Sequence, residues 1–153
     1  MVLNPGDWFF GHQHEQVKTL LGSCVAITLW HPRLAVGGMC HFLLPSSGKP
    51  VGETLDGRYA DQSMALFMEA IHKHASKPEE YRVKMFGGGN MFPDTTSSSD
   101  VGDRNVLAAK TLLREHGFRK PEAHVGQQGH RTIILDLATG ETWLRWQHGK
   151  VVM

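Results

Sequence analysis

A cysteine and a histidine occupy positions from which they could form a catalytic pair. Cys24 follows a Gly22-Ser23 turn and precedes an apolar, β-branched run, and His41 lies inside a second apolar run. A thiol becomes a useful nucleophile when a base can take its proton, and histidine is the usual base because its unperturbed pKa is about 6.5. The pattern therefore indicates a thiol nucleophile and its base. The alternative is a small hydrophobic cysteine in a core beside an unrelated histidine, because free cysteine is among the most buried residue types.

The turn before Cys24 and the second cysteine refine this hypothesis. Gly22 lets the backbone bend, and the N–H groups of Ser23 and Cys24 could then point at a developing oxyanion. Cys40 directly precedes His41, and neighbouring residues of a strand point to opposite faces. If His41 faces the site, Cys40 faces the core; the reverse assignment stays open.

Two β-strands must position the pair. Residues 25–30 and 36–44 are short β-prone runs, and each is followed by turn residues. The connection at 31–35 is short, which predicts that the two runs form an antiparallel pair. Such pairing would bring Cys24 and His41 near the same end of the ladder.

The remaining pattern predicts a mixed helix-and-strand protein in a single domain over residues 1–153. Apolar residues recur at three- and four-residue spacing in 59–75 and 103–116, which predicts two helices. Residues 1–14 are mixed and polar, and we expect a loosely ordered arm or a short edge strand there. Further strands are predicted at 81–86, 122–125, 131–137 and 141–146.

Composition and charge exclude several classes of protein. The chain has 153 residues, of which 41% are hydrophobic and 20% charged, as in an ordinary globular domain. The net charge of +1 lacks the basic excess that binds nucleic acid or an anionic membrane. Two cysteines are too few for a disulfide scaffold, the N-terminus lacks the features of a signal peptide, and no apolar run approaches the roughly 18 residues of a membrane span. We therefore expect a cytoplasmic protein with reduced thiols, no nucleic-acid partner and no membrane insertion.

Other motifs do not predict a metal or a cofactor. His12 with His14 and His72 with His74 are pairs without a third ligand nearby, and residues two apart on a helix do not share a face. The glycines at 87–89 lack the lysine and the serine or threonine of a phosphate-binding loop. We expect these glycines to let the backbone approach another segment closely, either as a structural feature or as one wall of a substrate cleft.

Four segments carry a family resemblance. They are Thr-Leu-Leu-Gly-Ser-Cys-Val-Ala at 19–26, Gly-Gly-Met-Cys-His-Phe-Leu-Leu-Pro at 37–45, Phe-Gly-Gly-Gly-Asn-Met-Phe at 86–92 and Val-Gly-Asp-Arg-Asn at 101–105. In this order and spacing they resemble the CheD family, the chemoreceptor glutamine deamidases, over about residues 17–143. One departure is a glutamine in place of the second glycine of a pair in the loop at 125–131, which bears on the shape of that loop.

The resemblance implies an activity and the residues that perform it. CheD proteins convert particular glutamine side chains of methyl-accepting chemotaxis receptors to glutamate and release ammonia. Matching the motifs puts the catalytic cysteine at Cys24, the histidine at His41, and a third residue, a threonine just before the Gly-Ser-Cys turn, at Thr19. No cofactor or metal is implied.

The resemblance also implies a fold and partners. The family fold is an α/β fold of the α+β type, a layered α/β/β/α sandwich of mixed sheets flanked by two main helices. Receptors are the implied protein substrates, and some members also bind a CheC-type phosphatase. Two other functions stay open: a thiol hydrolase acting on another protein, and a non-catalytic adaptor that binds chemoreceptors or a chemotaxis phosphatase. The adaptor differs from the enzymes in predicting that Cys24→Ala keeps its function.

Overall fold

The computed structural model describes residues 1–12, 16–91 and 100–153. Gln13 and His14, and the end of the segment at 86–92, lie outside the described residues. The described elements are β1 Val2–Leu3, β2 Trp8–His12, β3 Gln16–Leu21, β4 Val25–His31, β5 Val36–Phe42, α1 Ala60–Lys73, a turn of 3-10 helix at Pro78–Glu80, β6 Arg82–Gly87, α2 Val101–Glu115, β7 Glu122–Val125, β8 Arg131–Asp136, β9 Thr142–Trp146 and β10 Gly149–Val152.

The strands form two five-stranded mixed sheets. The central sheet has the order β2-β5-β4-β6-β7, and the outer sheet has the order β1-β3-β8-β9-β10. The pairs β1/β3 and β6/β7 are parallel, and the other neighbours are antiparallel. Every residue of β4 and β5 is buried. Burial on both faces explains why these two strands have near-continuous apolar sequences.

Both helices cover one face of the central sheet, and the outer sheet covers the other face. Ile27 and Phe42 pack toward the helices, whereas Met39 and Phe86 pack toward the outer sheet. Alternating residues of the same strands supply both layers because successive side chains point to opposite faces. The layers therefore run helices, central sheet, outer sheet.

The α+β class and the layered sandwich of two mixed sheets with two helices are confirmed. Helices α1 and α2 pack side by side on the central sheet. No helix among the described residues covers the outer face of the outer sheet, where Leu20 and Trp143 are exposed.

The strand pair and the two helices predicted from the sequence are confirmed. Strands β4 and β5 are antiparallel neighbours. Helix α2 begins at Val101, two residues before the predicted start, because the side chain of Asp100 accepts a hydrogen bond from the Gly102 N–H and caps the helix. Neither α-helix of the described ranges is long and apolar enough to cross a membrane.

Of the two alternatives predicted for residues 1–14, the described residues 1–12 form short edge strands rather than a loosely ordered arm. Strand β1 pairs with β3 at the edge of the outer sheet, and β2 pairs with β5 at the edge of the central sheet. The sequence pattern missed β3 and β10. Only alternate residues of β3 are buried, and its polar Gln16, Lys18 and Thr19 weaken the apolar signal.

Candidate active site

Three elements bring together the side chains that the sequence singled out. Thr19 lies on β3 of the outer sheet, His41 lies on β5 of the central sheet, and Cys24 lies in the turn that leads into β4. Thr19 is 0% and His41 1% exposed, and Cys24 is half-buried. The candidate site therefore sits at the edge of the interface between the two sheets.

The strand register places Cys24 and His41 near the same end of the β4/β5 ladder. The cross-strand partner of His41 is Ala26, and Val25 pairs with Phe42. Cys24 lies two residues before Ala26, on the same face of the sheet. The predicted position of the two residues at one end of the ladder is confirmed by this register.

A hydrogen-bond chain fixes the tautomer of His41. The Thr19 hydroxyl lies 2.7 Å from Nδ1 of His41 and donates its own proton to the carbonyl oxygen of Leu3 at 2.8 Å. A hydroxyl has one proton, so Nδ1 must carry a hydrogen and donate it to the Thr19 oxygen. Nε2 then keeps its lone pair. It is buried and has no hydrogen-bond partner among the described residues, so it is the ring atom available to accept a proton.

Burial keeps both members of the pair uncharged. It lowers the pKa of His41 to about 4, and the nearby carboxylate of Asp7 opposes this only in part. Burial also raises the pKa of the Cys24 thiol, against the smaller effect of its own N–H group. A resting thiolate–imidazolium pair would need the opposite shifts. The arrangement is therefore that of a neutral thiol with a neutral base, in which the proton moves as the sulfur attacks.

Cys40 faces away from this site. It is fully buried in the layer between the central sheet and the helices, close to Ser63, and burial raises the pKa of its thiol to about 12. Its orientation toward the core is as the sequence alternation predicted. A thiol in such surroundings is inert as a nucleophile.

The glycine-rich loop holds the turn that carries Cys24. The N–H groups of Gly88 and Gly89 donate to the carbonyl oxygens of Cys24 and Gly22 at 2.8 and 2.9 Å. Gly87 has φ of 105°, and a Cβ on it would overlap the Cys24 carbonyl oxygen. The predicted close approach of backbone is thus confirmed, and its target is the nucleophile turn.

Two main-chain donors of that turn make no hydrogen bond to another described residue. The N–H group of Ser23 has no such partner, and that of Cys24 interacts only with its own sulfur. Unpaired main-chain N–H groups beside a nucleophile can stabilise an oxyanion, as the sequence hypothesis required.

Arg131 is a buried residue near the turn that sequence reasoning missed. It is 0% exposed and has no carboxylate partner among the described residues. Its guanidinium donates to the carbonyl oxygens of Gly126 at 2.7 Å and Gly87 at 3.3 Å and to Nδ1 of His124 at 2.9 Å, and it lies 5.3 Å from the ring centre of Trp146. Arg131 thereby ties the loop at 126–130 to the glycine-rich loop. The sequence feature that could have identified Arg131 is its position as a cation at the end of an apolar strand.

The loop at 126–130 keeps a glycine-like backbone despite its glutamines. Gln127 has φ of 59°, in the left-handed region that favours glycine. Its carbonyl oxygen accepts a hydrogen bond from the Asn90 N–H at 2.7 Å, and the Gly126 N–H donates to the Gly87 carbonyl oxygen at 2.9 Å. The loop therefore packs against the glycine-rich loop through its main chain.

The histidine pairs do not join the candidate site. His12 ends β2, and His72 and His74 lie at the end of α1, where Nδ1 of His74 contacts the Ala70 carbonyl oxygen at 2.8 Å. His14 lies outside the described residues. Over the described ranges, no three His, Cys, Asp or Glu side chains are arranged to hold a metal ion.

The fold and the site together define a candidate thiol hydrolase of the α+β class, with a neutral Cys–His pair at the edge between two sheets. Comparison with known proteins is more specific. Residues 43–146 match the family model described as CheD chemotactic sensory transduction, and the chain belongs to the CheD family.

Relatives in other bacteria cover nearly the whole chain. It is 40% identical to the probable chemoreceptor glutamine deamidase CheD 3 of Dechloromonas aromatica, over 97% of this chain and 88% of the relative. It is 45% identical to the probable chemoreceptor glutamine deamidase CheD of Pseudomonas savastanoi pv. phaseolicola, over 96% of this chain and 84% of the relative. The family model begins after His41, so it is these longer matches that extend over the candidate site.

A solved structure shares the fold. The crystal structure of the Bacillus licheniformis hypothetical protein YfiH superposes with a TM-score of 0.51 at 11% identity, over 77% of this chain. The matched region spans half of that chain's length. At this identity the likeness concerns the arrangement of elements alone.

The buried, uncharged His41 predicts a pH dependence of stability. Its pKa is about 4 in the fold and near 6.5 in an unfolded chain, so the unfolded chain binds more protons between these pH values. We expect the free energy of unfolding to fall by on the order of 3 kcal/mol as the pH is lowered through this window, and His41→Gln to remove that part. Urea unfolding at several pH values measures it. His72→Gln, at an exposed position, is the control and should keep the wild-type dependence of the free energy of unfolding on pH. If His41→Gln also kept that dependence, His41 would not be an uncharged buried group.

Gly87 offers a test of how closely the loop must approach the turn. Gly87→Ala adds both a strained positive φ and an overlap with the Cys24 carbonyl oxygen, whereas Gly48→Ala adds only the strain, because no atom lies within 4 Å of a Cβ there. We expect urea unfolding to show a loss of about 1 kcal/mol for Gly48→Ala and at least about 2 kcal/mol more for Gly87→Ala. Equal losses would mean that the loop can move away from Cys24 without cost.

Proposed function

We propose that this protein is a protein-glutamine deamidase that converts glutamine side chains of methyl-accepting chemotaxis receptors to glutamate, acting as a single domain in the cytoplasm. The observation that carries the proposal is the Thr19–His41 hydrogen bond, which leaves Nε2 as the free base at the end of the ladder where Cys24 lies. The names of the relatives supply the substrate class. The proposal also includes binding to a CheC-type phosphatase, a partner that the family resemblance implies for some members.

The reaction begins with proton transfer inside the neutral pair. Nε2 of His41 takes the proton of Cys24 as the sulfur attacks the side-chain carbonyl carbon of glutamine. The negative charge moves to the carbonyl oxygen, where the N–H groups of Ser23 and Cys24 stabilise it. The imidazolium then gives its proton to the amide nitrogen, the C–N bond breaks, and ammonia leaves with a thioester left on Cys24.

Water completes the cycle through the same groups. Neutral His41 takes a proton from a water molecule as its oxygen attacks the thioester carbon. The thiolate leaves when the tetrahedral intermediate collapses, and the imidazolium returns the proton to Cys24. The net reaction consumes glutamine and water and yields glutamate and ammonia. These steps use only residues of the chain and one water molecule.

Thr19 leaves only Nε2 of His41 available to act as a base. Its oxygen accepts the Nδ1–H hydrogen bond both before proton transfer and in the imidazolium, so the ring cannot turn or change tautomer during the cycle. The Leu3 carbonyl holds the Thr19 proton in turn. Because the low pKa of His41 disfavours the imidazolium, the proton is passed on readily to the departing amide nitrogen.

The surroundings of the turn suit a protein side chain as substrate. Cys24 is half-buried, so an exposed glutamine can reach it from the protein surface. A Cβ on Gly22 would lie 3.3 Å from the Met91 sulfur and 3.6 Å from Cδ2 of His130, so these side chains flank the turn. A flexible thioether beside a polar ring can pack along the apolar stem of a glutamine.

Mass spectrometry of a receptor cytoplasmic fragment tests the proposed reaction. Deamidation adds about one mass unit per glutamine, and we expect it with the wild type and with Cys40→Ala. Cys24→Ala and His41→Gln should lose at least about 100-fold in rate, because one removes the nucleophile and the other the general base. Activity retained in Cys24→Ala would favour the adaptor. Unchanged receptor glutamines with wild-type protein that releases ammonia from another protein would favour a different thiol hydrolase.

The role of Thr19 has its own test. Thr19→Val keeps the shape of the side chain but removes the acceptor for Nδ1–H, and we expect kcat to fall by about 10- to 100-fold, the equivalent of one lost buried hydrogen bond. Thr132→Val is the matched control because Thr132 neighbours exposed Leu20 on the adjacent strand, away from His41. Ammonia release under saturating receptor fragment measures kcat. A wild-type kcat in Thr19→Val would remove Thr19 from the mechanism.

A further inference from the structure

Asn105 is a buried polar residue that contacts both strand ends of the candidate site. It lies in the second turn of α2 and is 0% exposed. Its side-chain Nδ2 donates hydrogen bonds to the carbonyl oxygen of Ser23 at 3.1 Å and to that of Leu43 at 2.8 Å. One amide group therefore joins the residue before Cys24 to the residue two after His41.

The two hydrogen bonds of Asn105 connect β4 and β5 at the point where the ladder of paired residues ends. The last cross-strand pair of β4 and β5 is Val25 with Phe42. Beyond it β4 and β5 have no further paired residues: the Leu43 N–H donates to the Arg58 carbonyl oxygen, and the Cys24 carbonyl oxygen accepts from the Gly88 N–H. The Asn105 amide bridges the gap and keeps the turn at a fixed distance from the strand that carries His41.

We propose that Asn105 is a positioning residue of the Cys24–His41 site, holding the Ser23–Cys24 peptide so that its N–H group faces the interface between the two sheets. The proposal rests on the proposed deamidase function. The carbonyl oxygen and the N–H group of a trans peptide point in opposite directions. Because the Ser23 oxygen is bound to Asn105 of α2, the Cys24 N–H of the same peptide points away from that helix.

A cost in stability supports this role. Oδ1 of Asn105 is buried and has no hydrogen-bond partner among the described residues. A buried, unsatisfied amide oxygen is destabilising, and asparagine is a poor helix former, so an apolar residue would suit the packing better. What the amide alone supplies is the pair of donors to Ser23 and Leu43.

The helix that carries Asn105 is itself fixed against the glycine-rich loop. Asp100 caps α2 through the Gly102 N–H at 2.8 Å. A Cβ on Gly102 would overlap the Gly88 carbonyl oxygen, so the main chains of helix and loop are in direct contact. The start of α2 is thereby held at the distance from which Asn105 reaches the turn.

Three variants separate positioning from packing. Asn105→Ala removes the amide, and Asn105→Asp keeps its shape but turns an oxygen toward the two carbonyl oxygens. Leu113→Ala, two turns further on the same buried face of α2, is the control that loosens the helix without touching the turn. All are compared with the wild type at a temperature where thermal unfolding shows each to be folded.

We expect both Asn105 variants to lower kcat about 10- to 100-fold with KM changed by no more than about 2-fold, as for a nucleophile displaced by a fraction of an ångström. Asp should be no better than Ala, and Leu113→Ala should keep the wild-type kcat. A kcat restored by Asp, or an equal loss in Leu113→Ala, would show that Asn105 acts by packing alone and overturn the proposal.

The rate of Cys24 alkylation by iodoacetamide against pH gives a second readout that needs no receptor. We expect the profile to shift in both Asn105 variants and not in Leu113→Ala; profiles unchanged in the Asn105 variants would overturn the proposal. Wild type that leaves receptor glutamines unmodified would defeat the proposed function, and the alkylation profiles would still decide the role of Asn105.

Discussion

The hydrogen bond between Thr19 and His41 joins the two sheets at the point where the chemistry is proposed. Thr19 belongs to the outer sheet and His41 to the central sheet, so the 2.7 Å contact exists only when the sheets are stacked. The layer of apolar side chains between them, which includes Met39, Phe86 and Ile133, provides the driving force for that stacking. The tautomer of a single imidazole therefore depends on the packing of the whole sandwich. A weakening of the inter-sheet core should affect the base before it affects the nucleophile turn.

The same burial sets the protonation state of the site. Removing His41 and Cys24 from water disfavours the imidazolium and the thiolate alike, so the resting site holds no charge of its own. In the proposed reaction, charge develops only during attack, when the glutamine carbonyl oxygen becomes negative and the imidazole becomes positive. Donors that already point at those positions then gain most, because a site partly closed to water screens them little. A neutral pair with prearranged donors is a physical alternative to a stored ion pair.

The sequence predicted the parts of this arrangement that rest on local patterns. The β4/β5 pair, the face taken by Cys40 and the close approach of the glycine-rich loop follow from alternation, turn length and glycine chemistry. Strand β3 and the ties made by Arg131 and Asn105 do not, because they depend on partners far away in the chain. Thr19 was reached through family resemblance, since nothing local distinguishes it from a surface threonine.

The nucleophile turn shows how an anion site can arise from satisfied carbonyl groups. The carbonyl oxygens of Gly22, Ser23 and Cys24 each accept a hydrogen bond, from Gly89, Asn105 and Gly88 respectively. In trans peptides, fixing the first two of these oxygens fixes the direction of the next N–H group, so those of Ser23 and Cys24 are turned away from the loop and helix that bind the oxygens. No side chain has to be aimed at the substrate oxygen. The donors of the proposed site are main-chain groups, whose positions depend on the elements that bind the neighbouring carbonyl oxygens. On this proposal, the second turn of α2 belongs to the site together with the thiol.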